Sequence, residues 1–302
     1  MIREIETESG VLGINVIKKD EGDPGHVKIE YYRGKDISVK VPDKIEGKPV
    51  TEIGKKAFLG AKTLVSIMLP ESVGSIGDWA FASCSALKSV HIPGRELTLG
   101  SGLFRDCANL ETIVTESSAG KETDEDLPYL LALSVYKMDA PYLFDTKKAG
   151  ESDWIEHFDS VIVQILKRDD SDGFSKMLLC GEEDYVGDDS NLDTYVLLRK
   201  KEKIRILLVR LLHDRDLSEE YKKCFTDYLK ENMYDALWPL ILEEHGDEKE
   251  YFDLLIDVGC IDDSNVTELI DSMKDHYTRM KGYLIRFKKE SGGGDFFGDL
   301  DL

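Results

Sequence analysis

The sequence of 302 residues has no stretch of about 18 consecutive apolar residues, so it predicts no membrane-spanning helix. Its opening residues, MIREIETESG, are acidic and polar, whereas a secretory signal begins with basic residues and continues with apolar ones. Cysteines are few, five in total, and they lack paired spacing, which favours reduced thiols over a disulfide framework. We therefore expect a cytoplasmic protein.

Motifs for phosphate binding and metal binding are also missing. The sequence contains neither Gly-x4-Gly-Lys-Ser/Thr nor Gly-x-Gly-x2-Gly. One acidic run looks like a calcium loop, but with Gly173 at its sixth position the first ligand would be Arg168 and the twelfth Leu179, which excludes an EF-hand. No His-x3-His or Cys-x2-Cys pair accompanies the six histidines. We predict no catalytic residue, no metal site and no cofactor.

Basic residues are scarce, 39 against 60 acidic residues, which gives a formal net charge of −21. Residues 1–120 contain 15 basic and 17 acidic residues, so −19 of the total charge falls in the rest of the chain. An acidic surface repels phosphate groups, which excludes nucleic acids and anionic membranes as expected partners. We interpret the acidic C-terminal part as a solubilising helical surface.

What the sequence does contain is an internal repeat with a period of 23 residues. The first copy reads Ile53-x3-Ala57-Phe58 and then Leu64-x2-Ile67-x-Leu69-Pro70. The same pattern recurs in two further copies, Ile76-x3-Ala80-Phe81 with Leu87-x2-Val90-x-Ile92-Pro93, and Leu99-x3-Leu103-Phe104 with Leu110-x2-Ile113. A period in the twenties with L-x-x-L-x-L spacing is typical of a leucine-rich solenoid, in which each repeat packs on its neighbours.

The second half of each repeat predicts a β-strand, whose alternate residues face opposite sides. The predicted inward residues are Ile67, Leu69, Val90, Ile92, Ile113 and Thr115. The predicted outward residues are Ser66, Met68, Ser89, His91, Thr112 and Val114. Stacked strands would form a parallel sheet, and we predict that its outward, concave face binds a protein partner. His91 is interpreted as a contact residue and not as a catalytic base.

The first half of each repeat supplies residues that should pack the convex side and the interior. Alanine and phenylalanine recur there at fixed offsets, and cysteine recurs further along each copy. The residues concerned are Ala57, Ala80, Phe58, Phe81 and Phe104 on the convex side, and Cys84 and Cys107, with Ala61 at the equivalent place, inside. We interpret them as core residues without a chemical role.

The string AFASCSALKSVHIPG and its flanking repeats resemble the BspA-type leucine-rich repeat family, over about residues 35–115. The preceding segment, 37–54, is similar to the longer first turn of such arrays, with Val39, Val41 and Pro42 at the strand position. Residues 11–33 predict a β-hairpin that caps the solenoid. The resemblance implies protein interaction and no catalytic residues, although many members of the family are secreted or surface-exposed adhesins.

The segment 115–126, TESSAGKETDED, has no apolar periodicity and predicts a domain boundary. Beyond it, apolar residues recur at helical spacing. Residues 235–262 are similar to ankyrin-type helix pairs, which leaves an ankyrin-like arrangement and a generic helical bundle open. The predicted fold is α+β: a leucine-rich solenoid with its hairpin cap over 1–118 and an acidic all-α domain over 127–290.

Residues 291–302 form a glycine-rich hinge followed by an acidic and apolar tail. Its apolar side chains are Phe296, Phe297, Leu300 and Leu302, interleaved with aspartates. This composition suits an apolar pocket with a basic rim, on a partner or on a neighbouring copy of the chain. A tail without a binding role, or one whose phenylalanines fold back onto the helices, are the alternatives.

Three functions are compatible with the sequence. The first is a cytoplasmic, non-enzymatic scaffold that binds a protein through the concave face and the tail. The second is a surface or adhesin-type protein exported without a classical signal. The third is a hydrolase-like enzyme with its acids in the helical domain, for which Glu182, Glu183 and Asp184 are available although no nucleophile accompanies them.

Overall fold

A computed structural model describes residues 2–18, 20–115, 125–145, 147–175 and 191–291. The chain divides into two compact units, Met1–Phe158 and Asp159–Leu302. Within the described ranges, no helix combines the length and the apolar character that a bilayer crossing requires.

The strands of the described residues all lie in the first unit. In chain order they are β1 (Arg3–Thr7), β2 (Gly10–Ile17), β3 (His26–Arg33), β4 (Ser38–Lys40), β5 (Lys44–Ile45), β6 (Lys48–Ile53), β7 (Ser66–Met68), β8 (Ser75–Ile76), β9 (Ser89–Ile92), β10 (Thr98–Leu99) and β11 (Thr112–Thr115). Together they form a solenoid of about four turns behind an N-terminal cap, which confirms the predicted class of fold.

The N-terminal cap is antiparallel. Strands β2 and β3 pair as the predicted hairpin, and β1, which the sequence analysis did not identify, pairs with β2. Strand β3 then pairs in parallel with β6, so the cap continues directly into the solenoid. This arrangement gives the first repeat a hydrogen-bonded neighbour in place of an open sheet edge.

Two sheets run along the solenoid. One has the order β1-β2-β3-β6-β8-β10, with β5 paired to β6, and the other is a four-stranded parallel sheet with the order β11-β9-β7-β4. In the second sheet Ser66 lies opposite Ser89, and Ser89 lies opposite Thr112. Residues 23 positions apart are therefore neighbours in space, as the repeat predicts.

Aromatic rings form a column through the interior. The rings of Phe58 and Phe81 stack at 5.4 Å, and those of Phe81 and Phe104 stack at 5.5 Å. Tyr32 of the cap continues the column, with its ring 5.2 Å from that of Phe58. All three phenylalanines are buried, which confirms their prediction as core residues.

The two repeat cysteines are also structural. Cys84 and Cys107 are buried, and their thiols donate to the carbonyl oxygens of Phe58 and Phe81, each at 3.1 Å. Each thiol thus binds a backbone acceptor one repeat earlier, which satisfies a polar group that has no access to water.

Each turn also carries a residue in the left-handed region. Lys56, Trp79 and Gly102, spaced by 23 positions, have φ values of 60°, 58° and 60°. The amide of Lys56 donates to the carbonyl of Asp78 (2.9 Å), and that of Trp79 donates to the carbonyl of Ser101 (2.9 Å). The repeated backbone geometry therefore places these amides in register for bonds between turns, although it is unfavourable for lysine and tryptophan.

Helix α1 (Leu127–Val135) lies against β11 within the first unit. Its buried residues include Leu130, Leu131 and Leu133. A short 3₁₀ turn, Pro141–Leu143, and the first part of α2 (Ser152–Leu166) follow, and the Trp154 indole donates to the carbonyl of Leu143 (2.8 Å). The last strand of the solenoid is therefore covered by apolar helical residues.

The second unit is helical in its described residues. After the remainder of α2 it contains α3 (Leu192–Leu212), α4 (Glu219–Glu231), a π-helical turn (Met233–Leu237), α5 (Trp238–Glu244), α6 (Lys249–Asp257), α7 (Val266–Ser272) and α8 (Thr278–Ser291). Side-chain caps fix two of these helices: Asn191 accepts from the amide of Asp193, and Ser218 accepts from the amide of Tyr221.

Three residues mark the ends of helices in this unit. Gly259 ends α6 with φ 71°, and the amide of Cys260 donates to the carbonyl of Leu255, as in a Schellman motif. Pro239 lies in the first turn of α5. Asn265 occupies the N-cap position of α7 but makes no capping bond, because its side chain accepts from the amide of Asp262 instead.

Candidate functional site

The four-stranded parallel sheet exposes one face, and two rows of side chains cover it. We call this surface the exposed sheet face. Its first row is Ser38, Ser66, Ser89 and Thr112, and its second row is Lys40, Met68, His91 and Val114. Each row contains one residue from each strand, because equivalent positions of parallel strands pair directly.

The residues between the two rows point inward. Val39, Ile67, Val90 and Ile113 are at most 2% exposed. Ile92 and Thr115 are buried at the strand ends. The predicted alternation of inward and outward residues is therefore confirmed, while the binding role of the outward residues stays a prediction.

The first row consists of hydroxyl groups bonded in two pairs. Ser66 Oγ donates to Ser38 Oγ at 2.8 Å, and Thr112 Oγ1 donates to Ser89 Oγ at 3.0 Å. The accepting hydroxyls of Ser38 and Ser89 can each still donate one hydrogen bond. This row is uncharged and offers hydrogen bonds in fixed positions.

The second row changes in chemistry along its length. Lys40 supplies a cation, Met68 an apolar side chain that is 41% exposed, and His91 an imidazole. Ile37, immediately before β4, is 68% exposed, so apolar surface also borders this end of the face. Adaptable thioether groups together with fixed polar groups are typical of protein-contact surfaces.

The sequence analysis did not identify Ser38 and Lys40 of β4 as members of the exposed sheet face. The spacing from Ser38 to Ser66 is 28 residues and not 23, so the period alone does not identify it. The signal was nevertheless present, because Val39 and Val41 at alternate positions imply that Lys40 between them faces outward.

Metal binding and catalysis are the other activities considered for the chain. They contain no group of three or more His, Cys, Asp or Glu side chains that could hold a metal ion. His26 contacts Glu52 at 2.9 Å. The carboxylates considered for an enzyme, Glu182, Glu183 and Asp184, lie outside the described residues, as do the tail residues Phe296, Phe297, Leu300 and Leu302.

Comparison with family models identifies a BspA type leucine rich repeat region with six copies over residues 38–124. This match agrees with the resemblance seen in the repeats. No curated protein is detectably similar to the chain. The ankyrin-like resemblance of residues 235–262 is not confirmed, although helices are present there.

Among solved structures, the chain is similar to a leucine rich repeat protein of T. pallidum, with 33% identity over 37% of this chain and 50% of that one and a TM-score of 0.32. A leucine rich cell surface protein of Faecalibacterium prausnitzii A2-165 gives 23% identity over 37% of this chain and 30% of that one, with a TM-score of 0.30. A leucine-rich repeat protein of Bacteroides capillosus gives 22% identity over 37% and 97%, with a TM-score of 0.27. The chain therefore spans about half the length of the first of these proteins.

Proposed function

We propose that the chain is a non-enzymatic interaction module that binds a protein partner through the exposed sheet face. The observation that carries this proposal is the combination of the two rows: paired hydroxyls beside exposed Met68, with Lys40 and His91 on either side of it. Such a surface offers apolar contact together with hydrogen bonds in fixed positions, which a protein surface can match.

The sheet below the face supports this role because it is packed on a buried core. Its inward residues and the column of aromatic rings are buried, so the outward side chains stand on a packed core. A preorganised surface loses less conformational entropy on binding than a mobile one does. The partner is expected to be a folded protein or a peptide and not a nucleic acid, because residues 1–120, which contain this face, carry 15 basic against 17 acidic residues and so have no basic excess.

We propose the cytoplasm as the location of this function, which the unpaired spacing of the cysteines supports. The alternative is a surface or adhesin-type protein, which the resemblance to a family with many secreted or surface-exposed members suggests. Immunodetection in cytosolic, membrane and culture fractions of the native cell separates them, since an adhesin has to be found outside the cytosol.

The binding face is tested with matched variants. Partners are captured from the native cell with the full chain, identified by mass spectrometry, and their binding to purified variants is measured by calorimetry. Met68→Glu should weaken binding at least tenfold, because it buries a carboxylate in the contact. Leu59→Glu is the control, because Leu59 is similarly exposed (46%) and belongs to the same repeat but lies outside the sheet.

Both variants should melt within a degree or two of the parent, since each changes an exposed side chain. A second variant, His91→Glu, is measured beside them. If a partner binds Met68→Glu and His91→Glu as tightly as it binds Leu59→Glu, that partner does not use the exposed sheet face. That result would reject the proposed site. Equal loss in all three variants would point to a general charge effect and would reject it as well.

A further inference from the structure

Helix α8 is basic within this acidic chain, as is α3, but most of the cations of α3 are paired with carboxylates. Residues 278–291 contain five basic residues and one acidic residue, Glu290. The basic residues are Arg279, Lys281, Arg286, Lys288 and Lys289. A local excess of positive charge within a chain of net charge −21 marks a surface that attracts anionic groups.

A shallow groove lies along α8 beside the first residue of α6, and we call it the α8 groove. Lys249 of α6 lines it together with Arg279, Gly282, Tyr283 and Arg286 of α8. The ammonium group of Lys249 lies 4.6 Å from the centre of the Tyr283 ring. The groove thus combines an aromatic surface with a cationic rim.

The two arginines of this rim keep their charge uncompensated. Arg279 donates to the carbonyl oxygen of Asp247 at 2.5 Å, which is a neutral acceptor. Arg286 is exposed, and neither arginine forms an ion pair with any residue that the structure describes. Lys249 differs from them, because Asp253 already neutralises it. Arg279 and Arg286 are therefore the groups available to a carboxylate.

Gly282, between the two arginines on the same helix, has no packing reason to be glycine. It is exposed, and a Cβ built on it meets no atom within 4 Å. Glycine is among the least favourable residues inside a helix, so alanine would stabilise the free surface. A glycine is useful there if another backbone approaches the helix closely.

The chain itself supplies a segment with matching chemistry. Residues 295–302 carry Asp295, Asp299 and Asp301 interleaved with phenylalanine and leucine, and they follow α8 after three glycines. Gly282 lies about 14 Å along the axis of α8 from the last residue of that helix, at a rise of about 1.5 Å per residue. Eight extended residues span at most about 29 Å, which is enough to reach both arginines.

We propose that residues 295–302 bind the α8 groove of the same chain. Aspartates pair with Arg279 and Arg286, and a phenylalanine lies over Gly282 beside Tyr283. The short connection raises the effective concentration of the segment at the groove, so it occupies the groove in preference to a free acidic peptide. Any other ligand of the α8 groove then competes with residues 295–302 for binding.

The test is photo-crosslinking in the full chain, with Phe297 replaced by p-benzoylphenylalanine and the products mapped by mass spectrometry. An equal mixture of unlabelled and ¹⁵N-labelled protein distinguishes links within one chain from links between two. We expect links from position 297 to residues 279–286 within single chains. Links that join labelled to unlabelled chains would assign the groove to a second copy and would overturn the proposal.

Variants of the groove complete the test. Gly282→Leu fills the groove while improving helix propensity, and Arg286→Glu reverses one charge; each should reduce the crosslink to α8 at least tenfold. Lys223→Glu makes the same charge change at an exposed position of α4, and it should leave the crosslink unchanged. Crosslinks that map elsewhere, or that survive both groove variants at the control level, would overturn the proposal.

Discussion

Arg210 of α3 and Asp159 of α2 form a two-point ion pair inside the second unit. Arg210 Nε lies 2.7 Å from Asp159 Oδ1, and Nη2 lies 3.0 Å from Oδ2. Both side chains are at most 1% exposed. The same guanidinium donates to the carbonyl oxygens of His213 (2.6 Å) and Arg215 (3.0 Å), so it holds the turn after α3 as well as α2.

Removing one member of this pair should destabilise the protein strongly. Arg210→Ala leaves the Asp159 carboxylate buried without its partner, and breaking such a pair typically lowers the free energy of unfolding by about 3–5 kcal/mol. Urea unfolding followed by circular dichroism measures the loss. Arg205→Ala is the control, because its pair with Glu244 is partly exposed and should contribute less than about 1 kcal/mol. Equal losses in the two variants would contradict the assignment.

The aromatic column makes a comparable prediction for the first unit. Phe81 is fully buried between Phe58 and Phe104, and Phe81→Ala should lower the free energy of unfolding by about 3–5 kcal/mol. Met68→Ala, at an exposed position of the neighbouring repeat, should change it by less than about 0.5 kcal/mol. A loss below about 1 kcal/mol for Phe81→Ala would mean that the column does not pack as described.

The sequence predicts the repeats well because their packing is periodic. A residue such as Val90 has its counterparts 23 positions before and after it. The repeat pattern therefore identifies both the strand and the side of the strand that faces inward. The helices were predicted for a similar reason, since their buried residues recur at helical spacing. In the repeats and in the helices, the local sequence pattern and the tertiary packing require the same apolar residues at the same positions.

Features that depend on a single long-range contact could not be predicted. Asp159 and Arg210 are 51 residues apart, and each looks like an ordinary charged residue of an amphipathic helix. The left-handed Trp79 is another example, because its conformation follows from the stacked turns and opposes its own preference. The groove on α8 likewise requires Lys249 of α6 to lie close to Tyr283 of α8.

The register of the solenoid predicts that one repeat can be removed. Deleting residues 74–96 joins Val73 to Leu97 and takes out one period of 23 residues, so the remaining strands keep their pairing positions. Because repeat arrays gain stability from each interface, the shortened chain should fold with a lower melting temperature. Circular dichroism and thermal melting test this, and loss of all cooperative unfolding would contradict it.

The end of the solenoid makes a prediction about truncation. Because residues 115–126 lack apolar periodicity, limited proteolysis should cut there first, and a first cut within 50–114 would show that the boundary is misplaced.

Since α1 lies against β11, a chain of residues 1–166 should resist urea better than one of residues 1–118. Equal unfolding midpoints would mean that α1 adds nothing to the stability of the solenoid.

The cysteines provide a test that covers both units in one experiment. Cys224 on α4 is exposed, whereas Cys84, Cys107 and Cys260 are buried. Burial also raises the pKa of Cys260 to about 11, so at pH 8 its thiol is neutral as well as shielded, and the thiolate is the reactive form. Iodoacetamide at pH 8, followed by peptide mapping, should label Cys224 within minutes and label the three buried cysteines only after urea is added. Rapid labelling of Cys84 or Cys107 in the native protein would show that the repeat core opens, and rapid labelling of Cys260 would show the same for the turn after α6.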